Sequence, residues 1–267
     1  MHTALPSNPP PVGALLREWR QRRRLSQLDL ASDADISTRH LSYVETGRAA
    51  PSRAMVLHLA EALEVPLRER NTLLTAAGFA PLYRERTLAD PALAPARDVL
   101  QRLLTAHEPS PALAVDRHWN LVAHNRMVPL LLQSLPPGML APPANVLRLS
   151  LHPRGLAPMI ANLSAWRAHV LHRVQRQLAA SGDPALADLL AELRALPGPP
   201  AADDEAFDDV IVPLTLVSPL GRLDFITTIT VFGAPHDVTL SEIAIETLLP
   251  ADADTAARLQ QMKAALG

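Results

Sequence analysis

Cysteine is absent from all 267 residues, so neither disulfide stapling nor thiolate metal ligation is open to this chain. Lysine occurs once, at Lys263; every other basic residue is arginine, the usage of a GC-rich genome. Aromatic residues are 3% of the total, so the cores must be built of aliphatic side chains and methionine. No apolar run approaches the roughly 18 residues that a membrane span requires. Residues 1–11 contain no signal-peptide core, and the expected location is the bacterial cytoplasm. Catalytic signatures are missing as well: there is no glycine-rich phosphate loop, no GxSxG elbow, no HExxH and no cysteine nucleophile. His169 and His172 lie three apart with no carboxylate in register, which does not make a metal site. An enzyme is not expected, nor a bound cofactor.

What is present suits two domains, one small and one larger, with 48% hydrophobic residues to fill their cores. The net charge of −2 conceals an asymmetry. Residues 13–53 carry eight arginines against five acids, whereas residues 200–256 carry eleven acids against Arg222 alone. Phosphate binding needs local positive charge, which only the first third supplies. Within that third, Ser26 and Ser37 are N-cap residues for two short helices, Gln27–Ala34 and Thr38–Glu45, the second stopped by Gly47. Two short helices across a tight turn are a helix-turn-helix, whose second helix is shaped for the major groove. Leu30, Ala31, Ile36, Leu41 and Val44 lock the pair, leaving Thr38, Arg39, Ser42 and Tyr43 on the outer face. Arg39 can fork onto a guanine and Thr38 can touch a thymine methyl. Arg48 and Arg53 suit the phosphate backbone.

The rest of the chain reads as a proline-rich disordered arm (1–11), a five-helix all-α domain (12–80), a connecting segment with a helix (81–108) and an α+β domain (109–267). In the last of these, short β runs at Ala112–Val115 and Asn120–His124 form a hairpin. Val210–Val217, Arg222–Phe232 and Ile243–Leu249 add three strands, for a five-stranded antiparallel sheet covered by helices. Helices are expected at 13–24, with Arg22–Arg24 placed for either capping or phosphate contact, and at 95–107, with Val99, Leu100, Leu103 and Leu104 inward. Further helices are expected at 164–180, 184–196 and 252–265. Period two puts Phe225 and Ile229 on one face of their strand, opposite apolar helices carrying Leu147, Leu151, Met159 and Leu163. This region is either a fully packed core or an apolar pocket, with Trp119 and Trp166 able to line it. A carboxylate-headed ligand would need a polar end to such a pocket, for which Asn125, His152, Arg154, Asn162 and Arg167 are the candidates.

Two resemblances sharpen these readings. Ser26-Gln27, Leu30-Ala31, Ile36-Ser37, Leu41-Ser42, Val44-Glu45, Gly47-Arg48 and Pro51-Ser52 resemble the signature of XRE-family regulators of the Cro and λ-repressor type. The resemblance implies binding to double-stranded DNA as a homodimer, with Ser37 and the outer face of Thr38–Glu45 at the DNA. It implies a phosphate contact for Gln27 and a structural ion pair between Arg20 and Glu45. Asp35 departs from the family, which usually has glycine where a positive φ is expected; aspartate tolerates that region at modest cost. ERNTLLTAAGFAP and PALAVDRHWNLVAHN resemble the MmyB-like subgroup, which carries a PAS-like C-terminal ligand-binding module. That resemblance implies an apolar small-molecule ligand such as a fatty acid, modulating DNA binding. A DNA-tethered protein-interaction module with a solid C-terminal core is the alternative.

Overall fold

The computed structural model describes residues 10–136, 139, 141–200, 212–219, 221–233 and 235–266. The chain divides into two compact units: residues 1–86 with His236–Val238, and the remainder.

The first unit contains α1 (Val12–Arg22), α2 (Gln27–Asp33), α3 (Thr38–Glu45), α4 (Arg53–Ala62) and α5 (Leu67–Ala76). Short polar side chains start three of these helices. Ser26 Oγ accepts from the Asp29 amide while the Asp29 carboxylate accepts from the Ser26 amide, so two orphan donors are satisfied reciprocally. Ser37 and Ser52 cap α3 and α4 in the same way, accepting from the amides of His40 and Met55. The turn between α2 and α3 runs through Asp35 at φ 48°, the left-handed conformation expected for that position. Leu16, Leu30, Leu41, Leu59, Leu63 and Leu74 are fully buried at the centre of the unit. At Gly13 a Cβ would meet the Val44 carbonyl oxygen at 2.3 Å, so α1 can cross α3 this closely only with glycine there.

Two expectations for this unit need correction. The helix expected over 13–24 stops at Arg22, with Arg24 in the left-handed region at φ 57° and the Arg23 side chain donating to the carbonyls of Leu63 and Glu64. The segment expected to connect domains from residue 81 is held to α5. The Asn71 side chain accepts from the Leu82 and Tyr83 amides and donates to the Tyr83 carbonyl. Of the arm expected over 1–11, residues 1–9 lie outside the described residues.

The second unit begins with α6 (Ala94–Ala106), followed by β1 (Ala112–Val115) and β2 (Leu121–His124). Helices α7 (Met127–Leu131), α8 (Val146–Leu151), α9 (Leu163–Ser181) and α10 (Pro184–Ala195) come next. Then follow β3 (Leu214–Ser218), β4 (Gly221–Val231), the one-turn α11 (Val238–Ser241), β5 (Ala244–Pro250) and α12 (Ala253–Ala264). The five strands form one antiparallel sheet in the order β2-β1-β5-β4-β3, a PAS-like arrangement with β5 at the centre. The hairpin strands thus share a sheet with the last three, as the sequence pattern leads one to expect. Residues 210–211 of the expected strand Val210–Val217 lie outside the described residues.

One face of the sheet packs on α7–α10 and α12 through Leu113, Leu151, Val170, Leu186, Leu216 and Phe225. The other packs on α6 through Leu100 and Leu104 against Ala112, Ala114, Ile243 and Ile245. Val99 and Leu103, expected to point inward, are 39% and 40% exposed. Leu100 and Leu104, four apart, make the buried stripe, which leaves the neighbouring pair on the solvent side.

Asn125 proves to be architectural rather than a ligand contact. It is 1% exposed; its Oδ1 accepts from the Ala112 and Met127 amides, and its Nδ2 donates to the Leu104 and Ser110 carbonyls. One side chain therefore joins the end of α6, the start of β1 and the start of α7. Asn125→Ala leaves four buried backbone groups to find other partners, and is expected to cost about 2–4 kcal/mol in urea unfolding of the second unit.

Candidate functional site

Two features stand out, one in each unit. In the first, α3 turns one face to the core through Leu41 and Val44 and the other outward. Arg39 is exposed on that outer face, and its Nε donates to the Tyr43 hydroxyl at 3.0 Å. The Arg39 and Arg48 guanidiniums lie 5.4 and 5.9 Å from the Tyr43 ring centroid, so two cations flank one aromatic ring. Thr38 and Ser42 are half-buried beside them, Ser37 is committed to capping, and Arg53 is exposed at the first turn of α4. Such a surface can contact phosphates and base edges together.

What holds α3 in place is a buried carboxylate. Glu45 Oε1 accepts from Arg20 Nε at 2.7 Å, and Oε2 accepts from Arg20 Nη2 at 2.9 Å and from Gln27 Nε2 at 2.8 Å. Arg20 Nη1 donates to the Leu25 carbonyl. Gln27, for which the resemblance implies a phosphate contact, thus spends its amide on the ion pair that joins α1, α2 and α3. Burial by itself would raise the Glu45 pKa. The hydrogen bonds from Arg20 and Gln27, with the guanidinium charge, more than offset it and hold the carboxyl below its ordinary range. Of the arginines at the end of α1, Arg22 pairs with Glu18, and Arg22 and Arg23 both lie over the Trp19 ring.

In the second unit, an apolar cavity of about 70 Å³ lies between the inner face of the sheet and α7–α9. Leu113, Leu121, Val128, Leu131, Leu132, Val146, Leu147, Leu149, Leu156, Leu214, Leu216, Leu248 and Trp166 supply its apolar wall; Ser150 and Glu246 are its polar residues. Among the expected ligand contacts only Leu147 and Trp166 reach it. Trp119 is buried elsewhere, its indole N–H donating to Gln177 and its ring lying under Arg173. Leu151 and Phe225 are consumed by the packed core, and Ile229 is 45% exposed because β3 pairs with β4 no further than Phe225. Met159 and Leu163 pack at the core's edge.

The expected polar end is also elsewhere. Asn162 donates to the Pro213 carbonyl and accepts from the Thr215 amide; His152 Nδ1 accepts from the Arg154 amide; Arg154 is exposed; Arg167 donates to the Arg194 carbonyl. Sequence reasoning missed Glu246, although an acid amid the apolar residues of Ile243–Leu249 was the available signal. Glu246 is 6% exposed, and its Oε1 accepts from Arg173 Nη1 at 2.8 Å. Among the described residues no group of three or more histidine, aspartate or glutamate side chains could hold a metal, and no helix is long and apolar enough to cross a membrane.

A helical unit with an outward cationic reading helix and a separate α+β unit with an apolar cavity define a DNA-binding regulator class with a ligand-binding domain. Family comparison agrees. A model of the MmyB-like transcription regulator ligand-binding domain matches residues 96–262, and a helix-turn-helix domain model matches residues 11–73. The chain belongs to the MmyB-like transcription regulators. A comparison with curated proteins finds no match. Among solved structures, an RNA-binding light-oxygen-voltage receptor is similar over 94% of this chain at 15% identity, with a TM-score of 0.25. This chain spans 62% of that receptor chain, and so low a score carries no argument.

Because its folded-state pKa is depressed, the stabilisation from Glu45 is complete above the unfolded value of about 4.3 and is lost as pH falls through the folded value. Protection of α1–α3 amides from hydrogen exchange, relative to the intrinsic rate at each pH, is therefore expected to fall on acidification. Glu45→Ala, which strands a buried guanidinium, is expected to lower protection there by about 3–5 kcal/mol at neutral pH.

Proposed function

We propose that this chain is a cytoplasmic bacterial transcription regulator that binds double-stranded DNA as a homodimer, its affinity set by an apolar small molecule in the second unit. A fatty acid is the first candidate ligand. The observation that carries the reading is the coexistence of the exposed Arg39–Tyr43–Arg48 surface on a helix-turn-helix with an apolar cavity in a separate unit. Each protomer would place α3 in one major groove, with half-sites about one turn (roughly 34 Å) apart. Arg48 and Arg53 are assigned to positioning on the backbone and Thr38, Arg39, Ser42 and Tyr43 to base edges, while Gln27 and Ser37, expected at the DNA, instead hold α3 in place. The ligand acts by binding one head geometry of the dimer better than another, since only differential affinity shifts such an equilibrium. No chemical step is assigned to the chain.

One observation favours the alternative of a solid interaction module: a cavity of about 70 Å³ is smaller than the engineered cavity of about 150 Å³ that admits benzene. A fatty acid must therefore part the leucines of the wall. Denaturing the purified protein and analysing the extract by mass spectrometry separates the two readings. The ligand reading expects an apolar small molecule whose return alters operator binding; an empty extract together with no response to added fatty acids would support the solid module.

At the DNA, Arg39→Ala is expected to relax preference at one base position by about 1–3 kcal/mol in a binding-site selection assay. A uniform loss across all sequences would instead reassign Arg39 to a phosphate.

A further inference from the structure

Glu246 lies on the inner face of β5, the central strand, beside Leu248 and directly opposite Leu113 on β1 and Ile229 on β4. Its Oε1 is taken by Arg173; among the described residues nothing donates to Oε2. Arg173 is itself engaged, with Nη2 at 3.2 Å from His169 Nε2 and 3.5 Å from Thr227 Oγ1, and its guanidinium 5.0 Å from the Trp119 ring centroid. At the other polar point of the wall, Ser150 Oγ accepts from Trp166 Nε1 at 2.6 Å and keeps its own proton to donate. The cavity wall thus holds an acceptor carrying negative charge and a hydroxyl donor, and no cation.

We propose that Glu246 makes this cavity selective for an apolar molecule whose head group donates a hydrogen bond, so that a carboxylic acid is bound in its protonated form. The inference rests on the ligand-sensing reading and specifies its chemistry. An ionised carboxylate offers only acceptors and would set a second negative charge against a buried one that shares a single guanidinium. A protonated carboxyl or an alcohol gives its O–H to Glu246 Oε2 and offers an oxygen to which Ser150 can donate. An acid that is ionised in solution therefore takes up one proton on entering, and an alcohol takes up none.

The groups facing Glu246 leave that linkage undisturbed near neutrality. The cross-strand neighbours Leu113 and Ile229 and the polar Thr227 and Ser150 carry no group that titrates near neutrality, and His169 remains neutral. Burial, with the nearby charges of Arg173 and His172, lowers the His169 pKa to about 4.

The test compares octanoic acid with octan-1-ol binding to the full chain, by calorimetry at pH of about 6, 7 and 8. The acid is expected to weaken roughly tenfold per pH unit, with uptake of about one proton read from the dependence of the heat on buffer ionisation; the alcohol is expected to hold constant. Glu246→Gln should flatten the acid's profile and strengthen its binding at the highest pH, while an unchanged circular dichroism spectrum reports an intact fold. Octanoic acid binding with a flat profile in the unmodified chain overturns this inference alone. Binding of neither compound overturns the ligand-sensing reading and this inference with it.

Discussion

The position of the reading helix depends on a carboxylate removed from water. Glu45 ends α3, and its two oxygens receive three hydrogen bonds from α1 and α2. A buried charge without partners would cost more than the small head could supply, so the three helices must meet at the one geometry that satisfies it. The remaining features of the head follow from that geometry. Gly13 admits the close crossing of α1 over α3, Asp35 turns the chain between the paired helices, and the side of α3 facing away from Glu45 is left for Arg39 and Tyr43. The leucine core gives cohesion but little direction, since aliphatic packing tolerates small rotations that bidentate hydrogen bonds do not.

The second unit solves a comparable problem with a neutral side chain. The short hairpin β1–β2 has to be tied both to α6 on one side and to α7 on the other. Asn125 does this by matching two donors and two acceptors to four backbone groups. Its position just after β2 made it resemble a polar contact at the mouth of a pocket, and its chemistry fits that role too. Only the direction of the side chain separates the two readings, and a one-dimensional pattern does not contain it.

Legibility in the sequence followed the range of the forces involved. Serine caps, the turn at Asp35, the two helices around it and the alternation along the strands are local, and the structure repeats them within a residue or two. The sheet was readable because five short apolar runs leave few other ways to bury their faces. Of the four α6 residues expected inward, Leu100 and Leu104 are buried and Val99 and Leu103 are not, since the two adjacent apolar stripes look alike in sequence and only tertiary packing chooses between them. The cavity was the least legible part. Its wall gathers side chains from β1, β2, α7, α8, α9, β3 and β5, brought together by long-range pairing, and most are leucines indistinguishable from core leucines. His152, Arg154 and Asn162 sit near the right helices in sequence, but His152 accepts from the adjacent Arg154 amide, the Arg154 side chain is exposed, and Asn162 is tied to the backbone of Pro213 and Thr215.

The two buried carboxylates invite comparison, because they differ in what they leave undone. Glu45 has every oxygen partnered within its own unit, and a group so satisfied can only hold a structure together. Glu246 has one oxygen on Arg173 and one without a donor, in the wall of a cavity lined almost wholly by leucine. Taking its charge from water has a cost that the Arg173 hydrogen bond offsets, and the second oxygen is open to an incoming donor. The cost is borne on the inner face of the central strand, where an apolar residue would pack without penalty. Apolar packing does not account for an acid at that place; the ion pair with Arg173 accounts for one oxygen, and the proposed ligand would engage the other.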